Sequence, residues 1–147
     1  MDNNMAITNV KLIYEIIEAA NKASKKEERI KILRENESWG LKDVLRATYD
    51  DTIKFLLPPG VPPYTPNQEG SIPSNLVKQT TKFKYFVKCP VAEGIVGFKR
   101  ERIFIDVLES VHPQDAKLLV KMINKESLGE NITKDLVQEA FPGLILK

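Results

Sequence analysis

The sequence predicts an all-α (mainly α) fold, a helical bundle of about six to seven helices with a long proline-rich crossover loop. Apolar residues recur at helical spacing in several segments, and helix-capping residues or helix-breaking residues separate those segments. Six of the nine prolines lie within residues 58–73. Because 147 residues can build one hydrophobic core but hardly two, we expect a single domain over residues 1–147.

The first half of the chain predicts three helices. We expect residues 1–9 to form a flexible N-terminus. A helix over residues 10–23 is predicted by one apolar stripe at i, i+3, i+4 and i+7: Ile13, Ile16, Ile17 and Ala20. A second helix begins at residues 24–27, where Ser-Lys-Lys-Glu has the form of a capping box. A third helix is predicted over residues 39–57, and the polar triplet at residues 50–52 can cap a fresh helix and so split it.

The proline-rich segment at residues 58–73 predicts an extended loop across the surface. Proline removes amide donors and fixes φ, so neither a helix nor a central strand can persist there. Tyr64 is the expected anchor of the loop. Two interpretations remain open: a tethered crossover between two helical halves, or a binding loop.

The second half of the chain predicts four more helices, over residues 74–88, 99–111, 114–125 and 133–140. Residues 91–98 contain two glycines and form a connector that can hold a short strand or hairpin. His112 precedes Pro113 and is expected to cap or to be solvated, Gly129 is expected to stop a helix, and Thr133 to cap the last one.

The sequence offers little for catalysis, so we expect no enzyme, no cofactor and no metal site. It contains one histidine, a single cysteine (Cys89) and neither a phosphate-binding glycine loop nor a dinucleotide fingerprint. We interpret Cys89 as a structural or surface thiol, Asp50-Asp51 as a helix cap or solvated turn, and Trp39 as a core anchor. No stretch approaches the roughly 18–20 apolar residues that span a bilayer, and no signal peptide is recognised, so we expect an intracellular protein without a membrane partner.

Positive charge is concentrated in residues 78–102. This segment has seven basic and two acidic residues, a net charge of +5, although the whole chain has a net charge of +2. On an α-helix Lys78 and Lys82 share one face, and Lys84 and Lys88 share a neighbouring one. Such an array can neutralise backbone phosphates without reading sequence, and an ordinary solvated lysine face is the alternative. The candidate residues are Lys78, Lys82, Lys84, Lys88, Lys99, Arg100 and Arg102.

Two segments carry a resemblance to a known family. Residues 13–57 contain Ile-Leu-Arg-Glu-Asn at 32–36 and a helix at 41–49 that ends in Thr-Tyr, and residues 115–145 end in Phe-Pro-Gly-Leu-Ile. Both segments resemble the N-terminal helical DNA-binding domain of the ATP-dependent DNA ligases of tailed phages. The whole chain is also similar to an uncharacterised family of small proteins of tailed phages that infect cyanobacteria and marine bacteria.

The resemblance implies a non-catalytic phage accessory protein that binds duplex DNA in the cytoplasm of the infected bacterial host. In the ligase domain, helix N-termini and loops meet the phosphates, which implies phosphate contacts at Gly129, Thr133 and Lys134. Glu130 and Asp50-Asp51 depart from this pattern because their charges repel phosphate. The Lys-x-Asp-Gly nucleophile of ligases does not occur in this sequence. The alternative function is a protein–protein interaction module or minor virion component, with a phage or host protein as its partner.

Overall fold

The computed structural model describes residues 12–67 and 76–145, without the side chains of residues 77 and 78. The all-α prediction is confirmed, because helices dominate these residues and strand pairing is limited to one isolated bridge. The predicted flexible N-terminus at residues 1–9 lies outside the described residues, as do residues 68–73 of the proline-rich loop. In chain order, the described helices are α1 Ile13–Lys22, α2 Lys26–Glu35, α3 Trp39–Tyr49, α4 Leu76–Gln79, the 3-10 helix Thr80–Tyr85, α5 Pro90–Glu93, α6 Gly97–Ser110, α7 Pro113–Ile123 and α8 Lys134–Ala140.

The helix α3 is central to the core. It packs against α7 on one side and against α4 and the 3-10 helix on another, while α6 also packs on α7. Helix α1 contacts α2 and α7, and α2 contacts α8, so the two ends of the chain are joined. Fully buried aliphatic side chains of α3, α6 and α7 fill the space between them: Leu41, Val44, Leu45, Val107, Leu108, Leu119 and Met122.

The third helix ends at Tyr49, so the prediction of a helix to residue 57 is wrong. Asp50 is extended, and its carboxylate accepts hydrogen bonds from the Thr52 amide at 2.8 Å and the Thr52 hydroxyl at 2.6 Å. Such a local bond from an Asp side chain stabilises a turn in competition with the helix. The polar triplet therefore terminates α3, and the next residues run extended towards the prolines.

The helix predicted over residues 74–88 is mostly a 3-10 helix. Its predicted start at Ser74 lies outside the described residues, and the α-helical part ends at Gln79. Thr80, Phe83 and Phe86 are all buried and lie three residues apart, which matches the three residues per turn of a 3-10 helix. Burial of this row on one side thus favours the tighter helix.

The strand or hairpin expected at residues 91–98 is absent from the described structure, which has α5 and the start of α6 there. Extended pairing occurs instead between Phe55 and Val87, as an isolated antiparallel bridge. Pro90 occupies the first turn of α5, where its missing amide costs nothing.

The predicted helix caps have mixed outcomes. His112 accepts a hydrogen bond from the Gln114 amide at its Nδ1 atom, at 3.0 Å, and Thr133 Oγ1 accepts one from the Leu136 amide at 3.1 Å, so both caps are confirmed. The capping box at residues 24–27 is wrong, because α2 begins at Lys26 without a side-chain cap.

Two further interpretations are corrected. Gly129 does not stop the sixth predicted helix, since α7 ends at Ile123 and Lys125 takes the left-handed backbone conformation, with φ of 56°. Trp39 is not a core anchor, because 80% of its surface is exposed. Its place at the start of α3 turns it away from the buried face formed by Leu41, Val44 and Leu45.

The described half of the proline-rich loop is fastened to α6 and to the end of α7. Gly60 exchanges two hydrogen bonds with the side chain of Asn124, at 2.7 and 3.0 Å, and the Thr65 amide donates to Glu109 at 2.8 Å. Tyr64 is partly buried against the core, which confirms it as an anchor. Within the part of the chain described, no helix is long and apolar enough to cross a membrane.

Candidate nucleic-acid interface

The isolated bridge brings two lysines together from distant parts of the sequence. The Leu56 amide donates to the Phe86 carbonyl and the Lys88 amide to the Lys54 carbonyl, each at 2.7 Å. In this antiparallel pattern Lys54 and Lys88 lie directly opposite each other. Both are exposed, and neither forms an ion pair within the described residues. Lys88 is a predicted site residue, whereas Lys54 was missed.

The turn taken from the ligase resemblance lies near Lys54. The Lys134 ammonium is 3.0 Å from the Asp51 carboxylate. The pKa of Asp51 is lowered by that hydrogen bond and charge, and to a lesser extent by the charges of Lys125 and Lys54. Lys54, which pairs with Lys88, and Lys134 therefore both lie close enough to Asp51 to act on its charge. We call Lys54, Lys88 and Lys134 the basic strip.

Lys125 is a fourth cation in this region, but its donors are occupied. Its ammonium donates to the carbonyls of Ala47 at 2.6 Å and Asp50 at 2.8 Å, at the carboxyl end of α3. It also lies 5.8 Å from the centre of the Phe55 ring. Burial lowers the pKa of Lys125, against the opposing effect of Asp50 and Asp51. The side chain thus fixes the segment that carries Lys54.

The guanidinium of Arg100 is engaged mainly by backbone carbonyls. Its Nε donates to the Leu56 carbonyl at 3.3 Å, and its Nη1 donates to the carbonyls of Ala92 and Ile95 at 2.8 and 2.9 Å. One guanidinium therefore ties the extended segment after α3 to the α5 turn. Arg100 thus helps to hold the extended segment that carries Lys54.

The other predicted basic residues differ in availability. Arg102 forms an exposed ion pair with Asp106 at 3.0 Å. Lys99 is exposed, and no ion pair involves it in the described structure. Lys84 is exposed, with its ammonium 5.4 Å from the Tyr85 ring centre, and Lys82 is partly exposed.

One of the two predicted lysine stripes, that of Lys84 and Lys88, is not formed as expected. The side chain of Lys78 lies outside the described residues, so its pairing with Lys82 is not described. Lys84 lies in the 3-10 helix and Lys88 in the bridge, so they do not share a helical face.

The turn from Ser127 to Thr133 uses most of its polar groups internally. The Tyr49 hydroxyl donates to the Ile132 carbonyl and accepts the Leu128 amide, the latter at 3.0 Å. Thr133 caps α8, and Gly129 packs closely on Asn21. Among the three residues implied by the resemblance, only Lys134 offers charge, and Glu130 beside the turn is exposed.

Gly129 is required for close packing, which predicts a stability effect. A Cβ at this position would lie 2.7 Å from the Cγ and Oδ1 atoms of Asn21. That Oδ1 accepts the Asn131 amide at 2.8 Å, so Asn21 cannot move without losing this bond. We expect Gly129→Ala to lower the free energy of unfolding by about 1–3 kcal/mol, measured by urea denaturation. Gly94→Ala, where a Cβ would meet nothing closer than 3.6 Å, is the control. Equal stability of both variants would contradict the packing role.

The residues with catalytic potential are dispersed. His112 stacks on Tyr14 with ring centres 4.8 Å apart, and the Cys89 thiol donates to the Lys84 carbonyl at 3.3 Å. Residues 12–67 and 76–145 contain no group of three His, Cys, Asp or Glu side chains arranged to hold a metal ion.

The described part of the chain is thus an all-α protein in which two exposed lysines, Lys54 and Lys88, lie beside an isolated β-bridge without an ion-pair partner. The chain belongs to a family of unknown function, DUF6433, whose sequence profile matches residues 16–129. A search of curated proteins found no match.

Proposed function

We propose that this chain is a non-catalytic phage accessory protein that binds duplex DNA through its backbone phosphates in the cytoplasm of the infected bacterium. The observation that supports this most is the opposition of Lys54 and Lys88. Like charges directly opposite on paired strands are destabilising. An anion that bridges the two ammonium groups removes that repulsion.

The basic strip suits binding without sequence preference. Lysine is a compact, flexible point charge, whereas the planar groups of arginine, asparagine and glutamine offer the fixed two-point geometry that suits base edges. The two arginines predicted for the site, Arg100 and Arg102, are engaged by carbonyls and by Asp106. Phosphate neutralisation with counterion release is therefore the expected source of affinity.

The packing of the two ligase-like segments also supports the proposal. Leu33 is fully buried, and Arg34 donates to the carbonyls of Ala140 at 2.9 Å and Glu139 at 2.8 Å. Tyr49, from the Thr-Tyr pair, binds the turn before α8. The residues that carry the resemblance thus contact each other across the fold, although about 60 residues separate the two segments in sequence.

The test is a salt titration of duplex binding. Each neutralised phosphate contributes about −0.9 to the slope of log affinity against log salt, so four to six contacts cost on the order of a hundredfold or more between 50 and 200 mM salt. We expect Lys54→Gln with Lys88→Gln to reduce the magnitude of that slope by about two. Affinity should fall equally for duplexes of unrelated sequence, as measured by fluorescence anisotropy.

The matched control changes net charge by the same amount elsewhere. Lys22 and Lys31 are exposed lysines on α1 and α2, each paired with a glutamate four residues away. Lys22→Gln with Lys31→Gln should leave the slope unchanged. If the control reduces the slope equally, overall charge rather than the basic strip causes binding. Absence of duplex binding by the wild type at low salt would end the proposal.

A second candidate function is a protein-interaction module, and one cleft favours it. A cavity of about 300 Å³ lies between the proline-rich loop and α6, lined mainly by Leu57, Pro58, Pro62, Phe104 and Ile105. An apolar segment of a phage or host protein would fit its lining. If the wild type binds no duplex DNA, the protein-interaction module becomes the preferred function.

A further inference from the structure

Exposed apolar side chains are concentrated next to the lysines of this surface. Val91, Val96 and Phe98 are each more than half exposed, and Phe98 is 77% exposed. We call these three residues the Phe98 patch. Arg100 binds the carbonyls of Ala92 and Ile95 inside the same segment, so the patch has a fixed backbone. Three exposed apolar side chains within eight residues of sequence, on a backbone that Arg100 holds in place, make this segment a candidate binding surface.

Cations flank the patch on both sides along the chain. Lys99 follows Phe98 directly, and Lys88 lies two residues before the start of α5, which carries Val91. Both lysines are exposed and form no ion pair with any described residue. A ligand for this surface must therefore combine negative charge with a flat apolar face.

Unpaired nucleotides meet both requirements. Their bases expose π-faces that stack on aromatic side chains, and their phosphates follow the lysines. In a continuous duplex the bases are stacked on one another and are closed to Phe98. We propose that the Phe98 patch binds unpaired bases of DNA, with Phe98 as the stacking platform and Lys88 and Lys99 on the adjoining phosphates. The inference rests on the proposed function, because it extends the same surface from phosphates to bases.

A second strongly exposed aromatic residue in the described part of the chain provides a contrast. Trp39 is 80% exposed at the start of α3. The nearby Lys42 and Glu37 form an ion pair with each other, so the positive charge there is neutralised. Trp39→Ala is therefore a matched control for loss of an exposed ring.

The experiment compares three DNA ligands by fluorescence anisotropy: oligo-dT, a blunt duplex of the same length, and that duplex with a single-stranded overhang. We expect the wild type to bind oligo-dT and the overhang more tightly than the blunt duplex. Phe98→Ala should weaken oligo-dT binding by about tenfold or more, with duplex affinity and the salt slope unchanged. Lys99→Gln should reduce the salt slope instead, because it removes a phosphate contact. Trp39→Ala should change neither.

Several outcomes would overturn the inference. One is an unchanged oligo-dT affinity in Phe98→Ala, and another is an equal loss on oligo-dT and duplex. A third is a wild-type dimer in sedimentation equilibrium that Phe98→Ala dissociates, which would make the patch a self-contact. If duplex binding persists without any preference for unpaired bases, only this inference fails. If the wild type binds none of the three ligands, the proposed function fails as well.

Discussion

Arg100→Ala is expected to lower the free energy of unfolding by about 2–4 kcal/mol, because hydrogen bonds to charged groups contribute about 1.5–3 kcal/mol each and are not additive. The guanidinium serves three carbonyls, those of Leu56, Ala92 and Ile95. Without it, these acceptors lose their shared donor, and the extended segment loses its tie to α5. Urea denaturation followed by circular dichroism measures the change.

Two further variants separate this role from charge alone. Arg102 lies two residues from Arg100 on the same helix. Arg102→Ala removes only an exposed ion pair, so it should lower the free energy of unfolding by less than about 1 kcal/mol. Arg100→Lys keeps the charge but not the planar guanidinium. Its free energy of unfolding should lie between those of Arg100→Ala and the wild type. A stability of Arg100→Ala equal to that of Arg102→Ala would show that water replaces the guanidinium.

Asp115 makes stability depend on pH in the mildly acidic range. Its side chain is fully buried, Oδ1 accepts the Tyr14 amide at 2.9 Å, and no hydrogen-bond partner reaches Oδ2. Burial raises the pKa of Asp115 to about 6, against the lowering effects of the Tyr14 hydrogen bond and His112. The folded protein therefore holds a proton that the unfolded chain releases near its ordinary pKa of 3.8.

The sign of the effect follows from this difference. The stabilisation by the protonated carboxyl is present below pH 3.8 and is lost as the pH rises through about 6. The difference between a pKa of about 6 in the folded protein and 3.8 in the unfolded chain corresponds to roughly 3 kcal/mol in the free energy of unfolding. We expect Asp115→Asn, which keeps the acceptor for Tyr14 without a charge, to remove this fall in stability between pH 4 and 7.

The control for Asp115 is Asp135→Asn, an exposed carboxylate in the first turn of α8. It should leave the pH dependence of urea denaturation as in the wild type. Making both changes in a His112→Asn background removes the imidazole that acts on Asp115 and preserves a capping side chain. An unchanged pH slope in Asp115→Asn would show that this carboxyl is ionised in the folded protein throughout the range.

The apolar stripes of the sequence were sufficient to predict the helical fold, because burial of one helix face is a local, periodic signal. The end of α3 and the 3-10 helix were not predicted correctly. Asp50 was recognised as a possible cap of a fresh helix, whereas its bonds to Thr52 end α3, and Lys125, 75 residues away, binds its carbonyl. The row of Thr80, Phe83 and Phe86 contains a three-residue period, which is distinguishable from an α-helical stripe only once the buried side is known.

The candidate site was less predictable than the fold. Charge counting identified Lys88, but Lys54 became apparent only through a pairing across more than 30 residues. Charge counting also included Arg100, because the sequence does not show that its guanidinium binds backbone carbonyls. The exposure of Trp39 was missed because a lone tryptophan is usually buried, and nothing in its neighbours contradicts that expectation.

The contact of α2 with α8 has a consequence for the order of events during synthesis. Arg34 reaches the Ala140 carbonyl across a sequence separation of 106 residues. Leu33 beside it is fully buried in the finished core. Until residues 134–140 have left the ribosome, α2 lacks one of the two helices against which it packs, since only α1 precedes it in the chain. The N-terminal helices must therefore wait with apolar surface exposed, and the bundle closes only when nearly all of the described chain has been translated.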